Sequence, residues 1–265
     1  MDRVALDLGF IQIYWYSIFI FLGLLIACTV IYRESKKRGI DEDTLINMTF
    51  TTVIAGIIGA RLYYVLFNLS YYLQHPIEIF EIWNGGLAIH GAIIAGLITI
   101  FLFCKQMRIS FMRMLDIIVV GLIIGQAIGR WGNFFNSEAY GAVTTLQALE
   151  SQGIPKFIID GMYILGEYRQ PTFLYESIWC FLLFIFLMWF SKHKRAFSGQ
   201  ILCLYGILYS IERFFVESFR TDSLMIGPLR QAQVISLVII AACAILYIYL
   251  KKKHSYSNRQ SKGEF

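Results

Sequence analysis

Seven long apolar runs constrain this chain more than any other feature of its sequence. An apolar run needs about 20 residues to cross the hydrocarbon core of a bilayer. The runs lie at approximately 14–32, 44–67, 86–104, 114–130, 172–190, 199–217 and 231–250. Charged residues make up 15% of the 265 residues, against about 25% in a typical soluble domain. The sequence therefore predicts an all-α integral membrane protein with seven transmembrane helices.

The positions of the basic residues predict its orientation. Of the 23 Lys and Arg residues, 15 lie at 33–38, 105–113, 192–195 and 251–262, on alternate connections and the C-terminal tail. Cytoplasmic loops are the ones enriched in Lys and Arg. We therefore expect the N-terminus outside, the C-terminus in the cytoplasm, a membrane domain over residues 1–250 and a basic cytoplasmic tail over 251–265. The long polar stretch at about 131–171 predicts a small extracytoplasmic cap within that domain.

Composition also argues against several other functions. The five cysteines lie inside apolar runs without CxxC spacing, which is typical of small buried apolar residues. The outer side has no second His or Cys at ligand spacing, so neither a metal nor another cofactor is predicted. The net charge of +5 comes from residues that flank the spans, so no nucleic-acid partner is expected. Basic residues follow the first run without a small-residue cleavage site, which indicates a retained span.

Arginines and acidic residues within the spans gather toward the outer leaflet. A rise of about 1.5 Å per helical residue places Arg61, His90, Arg130, Glu176, Arg213, Glu217 and Arg220 in the outer half, with Tyr16 at the start of the first span. Spacings of four and seven residues predict that Arg213, Glu217 and Arg220 share one face of the sixth span. Simpler interpretations remain open, because an Arg at a helix end can snorkel to the interface, Arg213 and Glu217 can form a structural ion pair, and His90 can be a buried structural histidine.

The stretch GRWGNFFNSEAYG, residues 129–141, concentrates polar groups at the end of an apolar helix. Arg130, Asn133, Asn136 and Glu138 fall within nine residues, and such groups are costly at the edge of hydrocarbon unless they meet a polar partner. We interpret this stretch as a phospholipid headgroup site, where arginines hold phosphate and stabilise a phosphate leaving group. His90, with an ordinary pKa near about 6.5, is a candidate proton acceptor.

These motifs resemble those of the bacterial prolipoprotein diacylglyceryl transferases. The resemblance rests on GRWGNFFNSEAYG and, in order along the chain, on IYWY, ARLYYVLF, WNGGLAIHG, PTFLYE and ERFFVESFRTDSL. It covers almost the whole chain apart from the cytoplasmic tail, and it is weakest at 142–170. It implies a membrane-bound transferase with no cofactor.

The resemblance also implies a reaction and its residues. The diacylglyceryl group of phosphatidylglycerol passes to the thiol of the lipobox cysteine in a preprolipoprotein peptide, and glycerol phosphate leaves. His90, Arg130 and Arg220 are implied as catalytic residues, and the residues implied to bind substrate are Tyr16, Arg61, Arg130, Asn133, Asn136, Glu138, Arg213 and Glu217. The protein is expected in the bacterial plasma membrane as a multi-pass enzyme whose active site faces the outer leaflet.

Other classes of membrane protein explain the sequence less well. The arginines alone would suit an anion or lipid transporter. However, the polar groups lie on one leaflet side, and the chain lacks the internal repeat common in transporters. A seven-span receptor rests on the number of spans alone. An intramembrane protease would need a serine–histidine or paired-aspartate arrangement within the spans, which the sequence lacks.

Overall fold

The computed structural model describes residues 3–9, 12–221 and 223–261, with side chains up to Ser255, and it is mostly helical. The helices are α1 (Trp15–Lys37), α2 (Glu42–Phe67), α3 (Leu69–Tyr72), α4 (Ile89–Gln106), α5 (Phe111–Asn136), α6 (Leu146–Ser151), α7 (Lys156–Gly161), α8 (Thr172–His193), α9 (Gln200–Phe219) and α10 (Gln231–Ser261). Two short 3₁₀ helices, Pro76–Phe80 and Ile82–Asn84, precede α4.

Each of the seven predicted apolar runs forms a long helix. Among the described residues, six of these helices are both long and apolar enough to cross a membrane: α1, α2, α4, α5, α8 and α10. Helix α9 has 20 residues but carries Glu212, Arg213 and Glu217 in its last turns. Its charge therefore separates α9 from the other six, and a seventh span does not follow from length and composition.

Helices α5 and α10 extend furthest beyond the bounds expected from hydropathy. Helix α5 continues through Asn136, so the first half of GRWGNFFNSEAYG is helical, and Asn133 and Asn136 belong to α5 rather than to a cap that begins at 131. Helix α10 continues through Ser261, so most of the basic tail is helical. Residues 262–265 of that tail lie outside the described residues.

Short strands occupy the connections. Strands β1 (Val4–Asp7) and β2 (Gln12–Tyr14) pair antiparallel before α1. Between α5 and α8, the sheet β3 (Val143–Thr144), β5 (Glu167–Arg169) and β4 (Tyr163–Ile164) is antiparallel in that order. Strands β6 (Met225–Ile226) and β7 (Leu229–Arg230) form a hairpin before α10. The segment between α5 and α8 packs on its own apolar cluster, which includes Phe134, Leu149, Ile158, Met162 and Phe173.

The chain divides into two compact units. The larger unit contains residues 1–31 and 115–265, and its main core is formed by side chains of α5, α8 and α9, including Ile123, Cys180 and Leu187. The smaller unit contains residues 32–114, and helices α2 and α4 pack against each other within it. Each unit carries some of the polar residues singled out from the sequence.

Glycines allow helices to pack closely at two places. A β-carbon on Gly59 of α2 would lie 2.6 Å from the Gly91 carbonyl oxygen of α4. Within the larger unit, a β-carbon on Gly121 of α5 would lie 2.7 Å from the Ala27 carbonyl oxygen of α1. Both distances are too short for a carbon atom, so glycine at these positions allows the helix backbones to approach each other.

Candidate active site

Glu176 on α8 is a buried carboxylate that joins two arginines of the larger unit. Its side chain is 3% exposed and accepts from arginines of two other helices. Glu176 Oε2 lies 2.5 Å from Nε of Arg130, near the end of α5. Glu176 Oε1 lies 2.9 Å from Nη1 of Arg213 on α9. Because one carboxylate bridges both guanidinium groups, the ends of α5, α8 and α9 are joined by charge.

Arg213 also binds a second carboxylate, one helical turn further along α9. Its Nη2 lies 2.7 Å from Glu217 Oε2, and Glu217 is buried. Burial leaves these charges little water to solvate them, so the alternating cations and anions stabilise one another. The sequence-based ion pair between Arg213 and Glu217 is therefore present, as part of a larger chain of charges rather than as an isolated pair.

Arg130 is held on its other side by polar groups. Its Nη2 donates to the hydroxyl of Tyr209 at 3.3 Å. The neighbouring Trp131 donates from Nε1 to Ser177 Oγ at 3.2 Å, and Ser177 donates to the Ala127 carbonyl at 2.8 Å. Consecutive residues of α5 are thus fixed by consecutive residues of α8, Glu176 and Ser177. Arg130 is paired and only 19% exposed, which is not the arrangement of a snorkelling side chain.

A cavity of about 250 Å³ lies beside this ionic chain. Its lining includes Arg213, Glu217, Arg220 and Gln231, the first residue of α10, with apolar side chains at the rim. Two arginines and the first turn of a long helix favour a negatively charged ligand. A molecule in this cavity would meet both charged and apolar surface, as an amphipathic ligand requires.

The prediction that Arg220 continues the helical face of Arg213 and Glu217 is wrong. Helix α9 ends at Phe219, and Arg220 is extended, with φ of −76° and ψ of 144°. It forms an antiparallel bridge with Gly141. The Arg230 guanidinium donates to the carbonyls of Glu217 and Arg220, so it holds the chain at the point where the helix ends. Arg220 nevertheless lines the same cavity as Arg213.

The remaining polar residues of GRWGNFFNSEAYG lie near the end of α5. Asn133 donates from Nδ2 to Glu138 Oε1 at 2.8 Å, and the Asn136 side chain is partly buried. A β-carbon on Gly132 would lie 3.0 Å from Cδ2 of Tyr16, which is half-exposed at the start of α1. These contacts bring Tyr16 to the same end of α5 as Arg130.

One acidic residue of the site region stands apart. Glu212 on α9 is 6% exposed, and neither carboxylate oxygen has a hydrogen-bond partner among the described residues. It precedes Arg213 in the chain. An unpaired carboxyl group is expensive to bury, so Glu212 lowers the stability of the structure unless a ligand or a proton compensates.

In the smaller unit, Arg61 of α2 is held by backbone. It is 7% exposed. Its Nε donates to the Ile79 carbonyl at 2.9 Å, its Nη1 donates to Gly85 and Gly86 at 2.9 and 3.0 Å, and its Nη2 donates to Glu78. The central carbon of the guanidinium, Cζ, also lies 5.2 Å from the centroid of the Tyr72 ring. This geometry suits a residue that fixes a loop more than one that binds phosphate.

A polar cavity of about 410 Å³ adjoins Arg61. Tyrosines, Asn68, Asn84, Glu78 and Glu81 line it. Tyr71 donates its hydroxyl to Glu78 Oε2 at 2.8 Å, and this bond to a carboxylate raises the pKa of Tyr71. The cavity therefore offers a ligand both carboxylate acceptors and the donors of amide and hydroxyl groups.

His90 is the second residue of α4 and is exposed. Its ring stacks on Tyr63, with centroids 5.9 Å apart and planes inclined by 28°. The interpretation of His90 as a buried structural histidine is therefore wrong. Stacking fixes the ring while leaving its edge, which carries the two nitrogens, open to a substrate.

Together, these features define a multi-pass membrane protein with an ionic site of arginines and carboxylates. The sequence profile described as prolipoprotein diacylglyceryl transferase matches residues 3–249. The chain belongs to the prolipoprotein diacylglyceryl transferase family, and it is a transferase.

Relatives named phosphatidylglycerol–prolipoprotein diacylglyceryl transferase match over nearly the full length. The protein from Staphylococcus xylosus is 47% identical over 255 residues, which cover 96% of this chain and 91% of the relative. The protein from Clostridioides difficile (strain 630) is 46% identical over 254 residues, covering 96% and 97%. The protein from Bacillus cereus (strain G9842) is 45% identical over 263 residues, covering 99% and 97%.

Two site features escaped the sequence analysis. Glu176 was placed in the outer half of the fifth span but given no part in the site, although an acid in an apolar span requires a partner. Its pairing with Arg130 and Arg213, which lie 46 residues before it and 37 residues after it, depends on tertiary structure. The sequence also did not predict that Arg61 binds the backbone of the connection before α4. The acceptors are backbone carbonyl groups, which every residue carries, so the side chains of that connection give no indication of the contact.

Proposed function

We propose that this protein transfers the diacylglyceryl group of phosphatidylglycerol to the lipobox cysteine thiol of a preprolipoprotein and releases glycerol phosphate. The names of its full-length relatives support this substrate pair. The observation that carries the proposal is the Arg130–Glu176–Arg213 chain beside a cavity that Arg220 also lines. Such a site suits an anionic headgroup attached to apolar chains.

In the proposed arrangement, α9 is a seventh span, and the ionic chain lies at the outer leaflet of the bacterial plasma membrane. A helix of 20 residues is about 30 Å long, which matches the hydrocarbon thickness. The basic residues at 33–38, 105–113, 192–195 and 251–262 support a cytoplasmic location for the opposite ends of the helices. The segment from 137 to 171 then forms the extracytoplasmic cap.

The arginines have donors to offer to a phosphate. A guanidinium group carries five N–H bonds, and the Glu176, Tyr209 and Glu217 contacts occupy part of those on Arg130 and Arg213. The remaining donors bind the phosphodiester and stabilise the charge that grows on the leaving phosphate. Arg220 lines the same cavity as Arg213 and adds a second positive charge there. Tyr16, Asn133, Asn136 and Glu138 provide hydrogen bonds to the glycerol hydroxyls.

The chemical step forms a thioether. The cysteine sulfur attacks the carbon of the diacylglyceryl group that is bonded to the phosphate oxygen. The bond between that carbon and that oxygen breaks, and its electron pair leaves with glycerol phosphate. A thiol with a pKa near about 8.5 reacts as the thiolate, so the proton must be removed. We assign that proton to His90, whose ring edge is accessible at the start of α4. Arg61 acts indirectly, by fixing the loop that precedes α4.

Transfer in detergent solution tests the proposal. Purified protein, phosphatidylglycerol and a lipobox peptide are mixed, and the mass gain of the peptide and the release of glycerol phosphate are measured together. We expect wild type to produce both, Arg130→Ala to produce neither, and Arg130→Lys to lose most activity, since lysine lacks the forked donors of arginine. Arg169→Ala is the matched control, because Arg169 is 16% exposed, as little as Arg130, and pairs with Glu167 outside the ionic chain.

Each outcome bears on a separate part of the proposal. Near-full activity in Arg130→Lys would exclude forked phosphate contact at that residue. If a folded wild type bound phosphatidylglycerol saturably yet transferred nothing, a binding or transport function would replace transfer. Activity with uncharged diacyl lipids in place of phosphatidylglycerol would contradict the assignment of the arginines to phosphate.

A further inference from the structure

The connection between α2 and α4 has an apolar outer face. Four of its side chains are largely exposed: Leu73 at 74%, Ile77 at 77%, Phe80 at 77% and Trp83 at 76%. Ile77, Phe80 and Trp83 lie three residues apart in consecutive 3₁₀ helices. This spacing places Ile77 and Phe80 on the same side of the first 3₁₀ helix, and the equally exposed Trp83 follows in the second. The four residues form what we call the apolar platform.

The opposite side of the same segment faces Arg61. The carbonyls of Glu78, Ile79, Gly85 and Gly86 all accept from its guanidinium. Gly85 and Gly86 have φ of 87° and 71°, a conformation that glycine adopts readily and other residues rarely do. The segment is therefore clamped on one side by a buried cation, while its apolar side chains are left without a protein partner among the described residues.

The surroundings of the platform indicate what covers it. Helix α2 ends at Phe67 and α4 begins at Ile89, and these residues are 74% and 68% exposed. Both helices are long and apolar enough to cross a membrane. The platform is thus continuous with apolar surface at the same ends of two spans. Tryptophan and other apolar side chains are typical of segments that lie in the interface plane of a bilayer.

We propose that the apolar platform is a membrane-interface anchor, inserted among the lipid headgroups and upper acyl chains of the leaflet it faces, and that Arg61 holds it there. The partner is the lipid surface itself, entered by about 5–10 Å as for other interfacial segments. The anchor fixes the depth of the polar cavity behind it, which Arg61, Tyr64 and Asn68 help to line. The inference concerns membrane contact and does not depend on the transferase reaction.

Trp83 supplies a probe for this insertion. The full-length protein is reconstituted into phosphatidylcholine vesicles whose acyl chains carry bromine near either the glycerol end or the terminal methyl. The Trp83 signal is the difference between wild type and Trp83→Phe, since the chain has five tryptophans. Acrylamide in the aqueous phase reports exposure to water. We expect strong quenching by shallow bromine, weaker quenching by deep bromine, and little quenching by acrylamide.

The other quenching patterns overturn the proposal. Quenching by acrylamide without bromine quenching would place the platform in water. Protection from both quenchers would mean that protein, for example a second copy of the chain, covers it. Stronger quenching by deep bromine than by shallow bromine would place Trp83 in the hydrocarbon core rather than at the interface.

Substitutions test the clamp and the face separately. Arg61→Lys should lower shallow-bromine quenching and raise acrylamide quenching, because an ammonium with three donors cannot satisfy four carbonyls in forked geometry. Ile77→Asp should change both kinds of quenching in the same way while leaving the hydrogen bonds of Arg61 intact. Because Ile77 is largely exposed, the substitution should not disturb folding. Leu165→Asp, an 83% exposed residue of the larger unit, is the control and should leave Trp83 quenching unchanged. Unchanged quenching in Ile77→Asp would refute insertion, and unchanged quenching in folded Arg61→Lys would refute the clamp.

Discussion

Removal of the charge on Glu176 should destabilise the larger unit far more than removal of a comparable exposed charge. The Glu176 carboxylate is 3% exposed, and it pairs with both Arg130 and Arg213, which are 19% and 22% exposed. In Glu176→Gln, one amide oxygen still accepts a hydrogen bond, but the amide NH₂ group then faces the second arginine. One hydrogen bond from an arginine is therefore lost, and the other is weakened because its acceptor is no longer charged.

The size of the effect follows from these two contacts. A hydrogen bond to a charged group contributes about 1.5–3 kcal/mol, and breaking a buried ion pair by removing one partner costs about 3–5 kcal/mol. We expect Glu176→Gln to lower the free energy of unfolding by about 3 kcal/mol, and the melting temperature in detergent by roughly 6–12 °C for a chain of this size. Transfer should fall by roughly 10²-fold, the effect of a displacement of about 1 Å in a positioning group.

Glu167→Gln is the matched control for this substitution. Glu167 also pairs with an arginine, Arg169, at 2.7 Å, but its side chain is 51% exposed. Exposed pairs contribute about 0–1 kcal/mol. Thermal unfolding and transfer are measured for both variants, and for Arg213→Gln with and without Glu176→Gln, to obtain the coupling energy. A melting temperature for Glu176→Gln within about 2 °C of Glu167→Gln, or a coupling energy near zero, would refute the bridging role of Glu176.

Three further predictions test other parts of the structure. His90→Gln should lower the turnover number by roughly 10²–10⁴-fold, as expected for loss of a general base, while Tyr63→Leu should have a smaller effect; near-normal turnover in His90→Gln would remove the base assignment. Gly91→Ala should lower stability by about 1–3 kcal/mol, since its β-carbon would collide with the Gly59 carbonyl, and an unchanged melting temperature would show that α2 and α4 can separate at no cost. Glu212→Met should raise stability by about 1–3 kcal/mol, because both buried carboxyl oxygens are unpaired among the described residues; a lower melting temperature would show that the carboxyl group has a partner in solution.

Hydropathy predicts the helices of this protein well because burial in lipid and burial in protein impose the same apolar run. The bounds of α2, α8 and α9 lie within three residues of the sequence-based estimates at each end. The end of α5 is different. The polar side chains in its last turns, such as Asn133, are typical of a loop in composition, yet the helix continues to Asn136. A polar environment at the end of a span is compatible with either a loop or a further helical turn, so composition does not distinguish them.

The candidate site is less predictable, because its members are joined by tertiary contacts. The sequence identified the types of residue that a headgroup site requires, and Arg130 and Arg213 do converge. It could not identify Glu176 as their common partner. It also extended the face of α9 to Arg220, whereas that residue lies past the helix end in an extended conformation. The positions of helix termini and the choice of ionic partner both depend on how neighbouring elements fill the remaining space.

The shared carboxylate of Glu176 has a consequence for the turnover of the site. Glu176 and Glu217 carry two negative charges against the two positive charges of Arg130 and Arg213. This set of four residues is therefore balanced when no lipid is bound, and its members can remain buried. In the proposed reaction, an arriving phosphate binds the donors that Glu176 and Glu217 leave free, and it lies close to the negative charge of these carboxylates. The repulsion between the anions weakens the hold on the departing glycerol phosphate. The proposed site thereby binds the anion less tightly and releases the product more readily.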